Sequence, residues 1–365
     1  MVNRIDNRQY SNSIENCSFV KTVLMIIVVL YHSILFWAGN WFSAVGTREY
    51  IAPVDYFSGY LNTFHVYCFV LTSGYLFSFL RFETNKYQQF GKFIKQKIFR
   101  LLIPYFFVSV IWAIPIGQFY YHLSVNDVLY KYLLGIAPSQ LWFLLMLFWV
   151  FVIVWPFSKR IHSSKLISFL FAGIFYIIGI VGDHLFNNYF QIWTACQFVL
   201  FFVLGMKLRD AHSNGKLINL KWYFLVVLFV FDVFLYILKI RFLPKGVIIY
   251  TCVEIFIELV LNIIGALLAF YILQAIASKT GNINLCNSKW YMTLAKSSMI
   301  IYLFHQQLIY LSIAIFNSLI NPFLNMLINF VFSVSVSVII AVVFTSNKYL
   351  CFLVGEKSNP KIVKQ

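Results

Sequence analysis

"FVKTVLMIIVVLYHSILFW", residues 19–37, decides the fold. It is an unbroken apolar run of about the 20 residues that a helix needs to cross a bilayer. Two residues are out of place in it: Lys21 near its start and His32 well inside it. An ionisable side chain in hydrocarbon is costly, so a membrane helix that keeps one has a reason for it. At about 100° per residue, the spacing brings Lys21 and His32 within about 20° of each other on one stripe of the helix. The rise of about 1.5 Å per residue separates their Cα atoms by about 16 Å, too far for contact. Lys21 then lies near one membrane surface and His32 beyond the bilayer middle.

The rest of the chain has the same character. Its 365 residues are 61% hydrophobic and 11% charged, with mean hydropathy +0.81, whereas a soluble domain carries roughly 25% charged residues. Apolar spans are expected near 19–38, 58–80, 101–120, 140–157, 166–182, 193–208, 222–238, 247–277, 291–316 and 323–345. The polar stretches between them are too short for a soluble domain. The expected fold is an all-α integral membrane protein of about ten transmembrane helices, with a segment 1–18, one membrane domain 19–345 and a tail 346–365.

A net charge of +16 invites a nucleic-acid reading, but the distribution of that charge argues against one. Lys and Arg collect in alternate loops: Arg81, Lys86, Lys92, Lys95, Lys97 and Arg100, then Lys159, Arg160 and Lys165, then Lys207, Arg209, Lys216 and Lys221, and then the tail. The positive-inside rule makes that side cytoplasmic and places both termini there. The loop with Lys239, Arg241 and Lys245 breaks the pattern. The partner implied is a lipid bilayer, with no nucleic acid. The first apolar run is too long for the core of a cleavable signal and is expected to stay as an anchor. Cys17, Cys68, Cys196, Cys252, Cys286 and Cys351 show no C-x-x-C or metal-ligand spacing, so neither disulfides nor a metal site is expected.

Several polar residues have both a plain and a chemical reading. Lys21 can snorkel to the interface, and His32 can bond a neighbouring helix or exchange a proton near neutral pH. Arg81, Lys86, Lys92 and Lys95 read as topogenic charge. Lys97 and Arg100 sit three apart on one helix face, where two cations can grip phosphates. Glu254 and Glu258, four apart inside a span, can bond a sugar hydroxyl or pair with a buried cation; Asp232 and His305 are also deep. Trp142 is a belt aromatic or a platform for a sugar ring. His65 and His184 read as interfacial residues.

Five segments in order resemble the membrane-bound acyltransferase family 3. They are the basic residue, ten residues and His of the first span (Lys21, His32); "FHVYCFVLTSGYLF" (64–77) with Ser73, Gly74 and Tyr75; and "KQKIFRLLIPY" (95–105). "LWFLLML" (141–147) and "SSMIIYLFH" (297–305) complete the set. The chain departs from the family pattern at Ser18, where Asp is frequent, and at Lys21 and Lys97, where Arg is common.

The resemblance implies an acyltransferase membrane domain over 19–345 in a bacterial cytoplasmic membrane. It would move an acyl group, acetyl foremost, from acyl-CoA to a hydroxyl of a surface polysaccharide such as O-antigen or capsule, or to its lipid-linked glycan precursor. No permanently bound cofactor is implied, because acyl-CoA is the donor substrate. His32 is then the catalytic residue, as general base or acyl carrier. Lys21, Lys97 and Arg100 hold the donor, and Ser73, Tyr75, Trp142, Glu254, Glu258 and His305 are candidates for substrate binding. The polytopic frame also suits a polysaccharide exporter, a flippase or a glycan polymerase.

The topology is directly testable. A reporter fused at Lys92 should read cytoplasm and one at Asn187 the opposite side. An external signal from Lys92 overturns the ten-span arrangement.

Overall fold

The computed structural model describes residues 7–39, 41–46, 49–213, 221–242, 248–280 and 288–356. Among these residues there is no strand, and ten helices are long and apolar enough to cross a membrane. They are α1 (Ser13–Ala38), α2 (Ala52–Glu83), α3 (Phe90–Tyr121), α4 (Ser139–Ser163), α5 (Lys165–Leu185), α6 (Tyr189–Ser213), α7 (Trp222–Arg241), α8 (Cys252–Ser278), α9 (Lys289–Phe316) and α10 (Pro322–Ser346). A short helix, α11 (Lys348–Leu353), follows, capped by the Asn347 side chain, which accepts from the Tyr349 and Leu350 amides.

The largest difference from the expected spans is at α3. The basic stretch expected to be loop is already helical from Phe90, because Phe93 on it is buried in the core. Lys97 and Arg100 therefore lie a full two turns inside α3 rather than at its start.

Two prolines then shape α3. A proline offers no N–H to the carbonyl four residues back, and its ring crowds that carbonyl. Pro104 follows a widened π turn at Ile98–Leu102 and Pro115 follows another at Ser109–Ala113. In those turns the Ile103 amide donates to the Ile98 carbonyl and the Ile114 amide to the Ser109 carbonyl, five residues back. Arg100 thus sits on a widened turn, a feature frequent at functional sites.

Helix α1 stands at the centre, packed against α2, α8, α9 and α10. Lipid supplies no hydrophobic drive between helices, so small and polar contacts do the joining. On α10, Asn325, Asn329, Ser333 and Ser337 recur every four residues and all are buried. Asn329 donates to the Ser33 carbonyl of α1 (3.3 Å). Helices α2 and α6 touch backbone to backbone: a Cβ added at Gly74 meets the Phe202 carbonyl, and one added at Gly205 meets the Leu71 carbonyl. Helix α7 lies at the rim, with Val227, Val230 and Phe234 exposed for lipid. Cys17, Cys68, Cys196, Cys252 and Cys351 are free thiols; Cys286 lies outside the described residues.

The α2–α6 contact has no room for a side chain. Gly205→Val should push these helices apart at a cost of about 1–3 kcal/mol or more, read as lower thermal stability and folded yield on size exclusion in detergent. A variant as stable as the parent contradicts the packing described.

Candidate active site

A cavity of about 560 Å³ opens between α1, α2, α3, α4 and α9. Helix α1 presents Ser18, Lys21, Met25, Val28, His32 and Leu35 to it, one stripe at alternating steps of three and four residues. Helix α2 faces it with His65, Phe69, Ser73 and Leu76, and α4 with Leu144, Leu147 and Phe151. The walls are largely apolar, and the polar groups gather at the two ends.

One end is cationic. Lys21, Lys97 and Arg100 line it together with Ser18, Lys296 and Glu356. The Lys97 ammonium lies 3.6 Å from the centre of the Phe151 ring, and the Lys21 ammonium 5.4 Å from that of Phe69. Such faces attract a cation by about 0.5–2 kcal/mol without neutralising it. Among the described residues, no carboxylate lies within ion-pair distance of either lysine. Arg100 is 59% exposed and meets Glu356 at 3.3 Å. That carboxylate is brought there by a turn at Gly355, whose φ of 70° carries the chain under Pro104 and Arg100.

The other end holds imidazoles. His32 Nδ1 is 2.9 Å from the Val28 carbonyl and 3.3 Å from His305 Nε2. His305 is completely buried behind it, its Nδ1 2.8 Å from the Tyr302 carbonyl. His65 is also buried and lines the cavity, and its ring and that of His32 both neighbour Tyr31, at 5.1 and 5.0 Å. Trp41, 5.6 Å from the His32 ring, lines this end with Trp142, Asn62 and Gln140. Gln140 is locked in place by reciprocal amide bonds with Gln307 (2.7 and 3.0 Å).

The comparison with protein families matches an acyltransferase domain to residues 15–346. The chain belongs to acyltransferase family 3. It is also 29% identical over 214 residues to a protein of Enterococcus faecalis described as an amino-acid racemase. That match spans 57% of this chain and only 26% of that protein. No solved structure matches the chain.

In this acyltransferase-family chain the cavity gathers Lys21, Lys97, Arg100, His32, Ser73 and Trp142 from distant parts of the sequence. Ser73 bonds the Phe69 carbonyl of its own helix (2.9 Å). His305 reaches the cavity only through His32. Three other expected site residues are elsewhere. Tyr75 points away from Ser73, as two residues, or about 200°, along a helix require. It meets Arg209 (3.2 Å) and His212 (2.5 Å) instead. Glu254 and Glu258 face Lys239 of α7 at 4.0 and 2.9 Å.

Arg81, expected as a topogenic surface charge, is buried against Trp155 at 4.0 Å. His65, expected at the interface, is part of the site; counting back from Ser73 in two steps of four reaches it. Trp41 follows the first span in sequence and carried no periodic signal.

Arg209 is gripped by both Glu83 oxygens (2.5 and 2.6 Å) and is buried. Breaking a buried pair from one side costs about 3–5 kcal/mol. Glu83→Gln should therefore lower the unfolding temperature in detergent far more than Glu254→Gln, which leaves Lys239 its closer partner Glu258. Equal stability of the two variants contradicts this assignment.

Proposed function

We propose that this protein takes an acyl group, acetyl foremost, from acyl-CoA at the cytoplasmic face of a bacterial cytoplasmic membrane. It delivers that group to a sugar hydroxyl of a surface polysaccharide or its lipid-linked precursor. The observation that supports this most is the polarity of one cavity, with cations at one end, imidazoles at the other and apolar walls between.

The donor's charge and length suit that layout. Its phosphates go to Lys21, Lys97 and Arg100, where the guanidinium can make a bidentate contact and the ammonium groups act as point charges. The pantetheine arm follows Met25, Val28, Phe69 and Leu147 inward, bringing the thioester to His32. Apolar walls there limit water, the competing nucleophile. The acceptor hydroxyl enters from the side of Trp41, Asn62 and Trp142, an aromatic and amide surface of the kind on which sugar rings pack. His32 takes the hydroxyl proton as the oxygen attacks the thioester carbon, a role worth roughly 10²–10⁴ in rate.

Purified variants given acetyl-CoA and dodecyl maltoside, whose sugar hydroxyls on an alkyl chain imitate a lipid-linked glycan, test the reading through thiol release and acetylated product. Lys21→Gln and Arg100→Gln should raise KM for acetyl-CoA, because contacts remote from the reacting carbon act as uniform binding. Arg100→Gln should do so more than Lys97→Gln, and Lys21→Arg should keep activity. His32→Ala should lose kcat by roughly 10²–10⁴ with KM little changed. Calorimetry that finds donor bound as tightly by Lys21→Gln and Arg100→Gln as by the parent overturns the donor site.

A further inference from the structure

Each of the three imidazoles at the far end of the cavity is tied through Nδ1 to a carbonyl of its own helix. His32 meets Val28 at 2.9 Å, His65 meets Leu61 at 2.6 Å, and His305 meets both Tyr302 (2.8 Å) and Ile301 (3.1 Å). A carbonyl oxygen only accepts hydrogen bonds, so in each neutral ring Nδ1 carries the proton and Nε2 the lone pair. His305 Nε2 lies 3.3 Å from His32 Nδ1. Of these two nitrogens only His32 Nδ1 has a proton to give. The bond therefore runs from His32 to His305, with the Nδ1 proton shared between the Val28 carbonyl and His305 Nε2.

We infer that His305 is a positioning residue, an uncharged acceptor that holds His32 in the tautomer whose Nε2 is free to act as base. The inference rests on the proposed reading of His32. In the reaction, the acceptor oxygen bonds to the thioester carbon and its proton passes to His32 Nε2. The carbon–sulfur bond then breaks, and His32 Nε2 returns the proton to the departing thiolate. Ester and free thiol result, and no proton moves onto His305.

While His32 is an imidazolium, its Nδ1–H donates more strongly to the His305 lone pair, which shares the positive charge. A carboxylate in the same place would bring a second charge into a buried membrane site and its desolvation cost. A neutral imidazole does the orienting without it. His65 has the same internal bond, but among the described contacts only His305 is hydrogen-bonded to His32, so His305 alone of the two is assigned this part.

Nitrogen-15 spectra of histidine-labelled protein in detergent read the tautomer directly, with the His32 signals identified by their loss in His32→Gln. The expected spectrum has neutral His32 protonated at Nδ1 and bare at Nε2; the neutral proton on Nε2 overturns the inference without any acceptor being needed. In turnover with acetyl-CoA and dodecyl maltoside, His305→Asn and His305→Met should lose roughly 10²-fold in kcat while KM for acetyl-CoA stays within about twofold. His305→Gln, whose amide oxygen reaches about as far as Nε2, should retain most of the rate. Gln and Met variants that behave alike, or a loss confined to KM, overturn the positioning role. His32→Ala turning over like the parent overturns the reading of His32 itself. An inactive His32→Ala beside a fully active His305→Asn overturns only the part given to His305.

Discussion

Desolvation of ionisable side chains is the constraint on which this bundle depends, because each charge inside it needs either a partner or a polar space. The chain uses both. Arg209 is held by Glu83, Asp210 by Lys207 and His162, and Lys239 by Glu258. These pairs are closed: each cation already faces a carboxylate and has little left for a ligand. Lys21 and Lys97 are different, resting on the faces of Phe69 and Phe151 beside a cavity. An aromatic face steadies a cation but leaves its charge in place. Of the three cations proposed to meet a substrate, Lys21 and Lys97 have no carboxylate at ion-pair distance among the described residues, whereas Arg100 meets Glu356 at the same end of the cavity.

The same constraint orders the helices from centre to rim. Helices with polar stripes, such as α1 and α10, turn those stripes inward, where Ser33 and Asn329 meet. Helix α7 turns Val227, Val230 and Phe234 outward and pairs its Lys239 with Glu258. Close contact at Gly74 and Gly205 locks α2 to α6, while α3 carries widened turns before Pro104 and Pro115.

Most of the fold was legible because a bilayer demands apolar runs of a set length, and the ten runs stand clear in the sequence. The stripe from Ser18 to Leu35 was legible too, since helix geometry alone puts Lys21 and His32 on one face. The failures have physical causes. Sequence motif alone groups Tyr75 with Ser73, although helical rotation forbids both from facing one cavity. It leaves Glu254 and Glu258 open between a sugar and a cation. The loop that broke the charge pattern contained the answer, because Lys239 is the cation they face. The contact between His32 and His305 joins residues far apart in sequence, and nothing in either neighbourhood encodes it. His65 looked interfacial because a sequence run does not reveal that α2 breaks at Thr63 and Phe64, which buries the histidine that follows.

The two ends of the cavity are coupled without touching. Lys21 and His32 are joined only by the turns of α1 between them, which fix both their separation of about 16 Å and their common direction. One residue inserted in that interval would rotate His32 by about 100° relative to Lys21, taking it off the stripe and away from His305. The spacing is thus a geometric requirement, as strict in rotation as in length. The proposed donor, with phosphates at one end and a thioester at the other, would need both quantities fixed at once, and a single uninterrupted helix is the simplest element that fixes them.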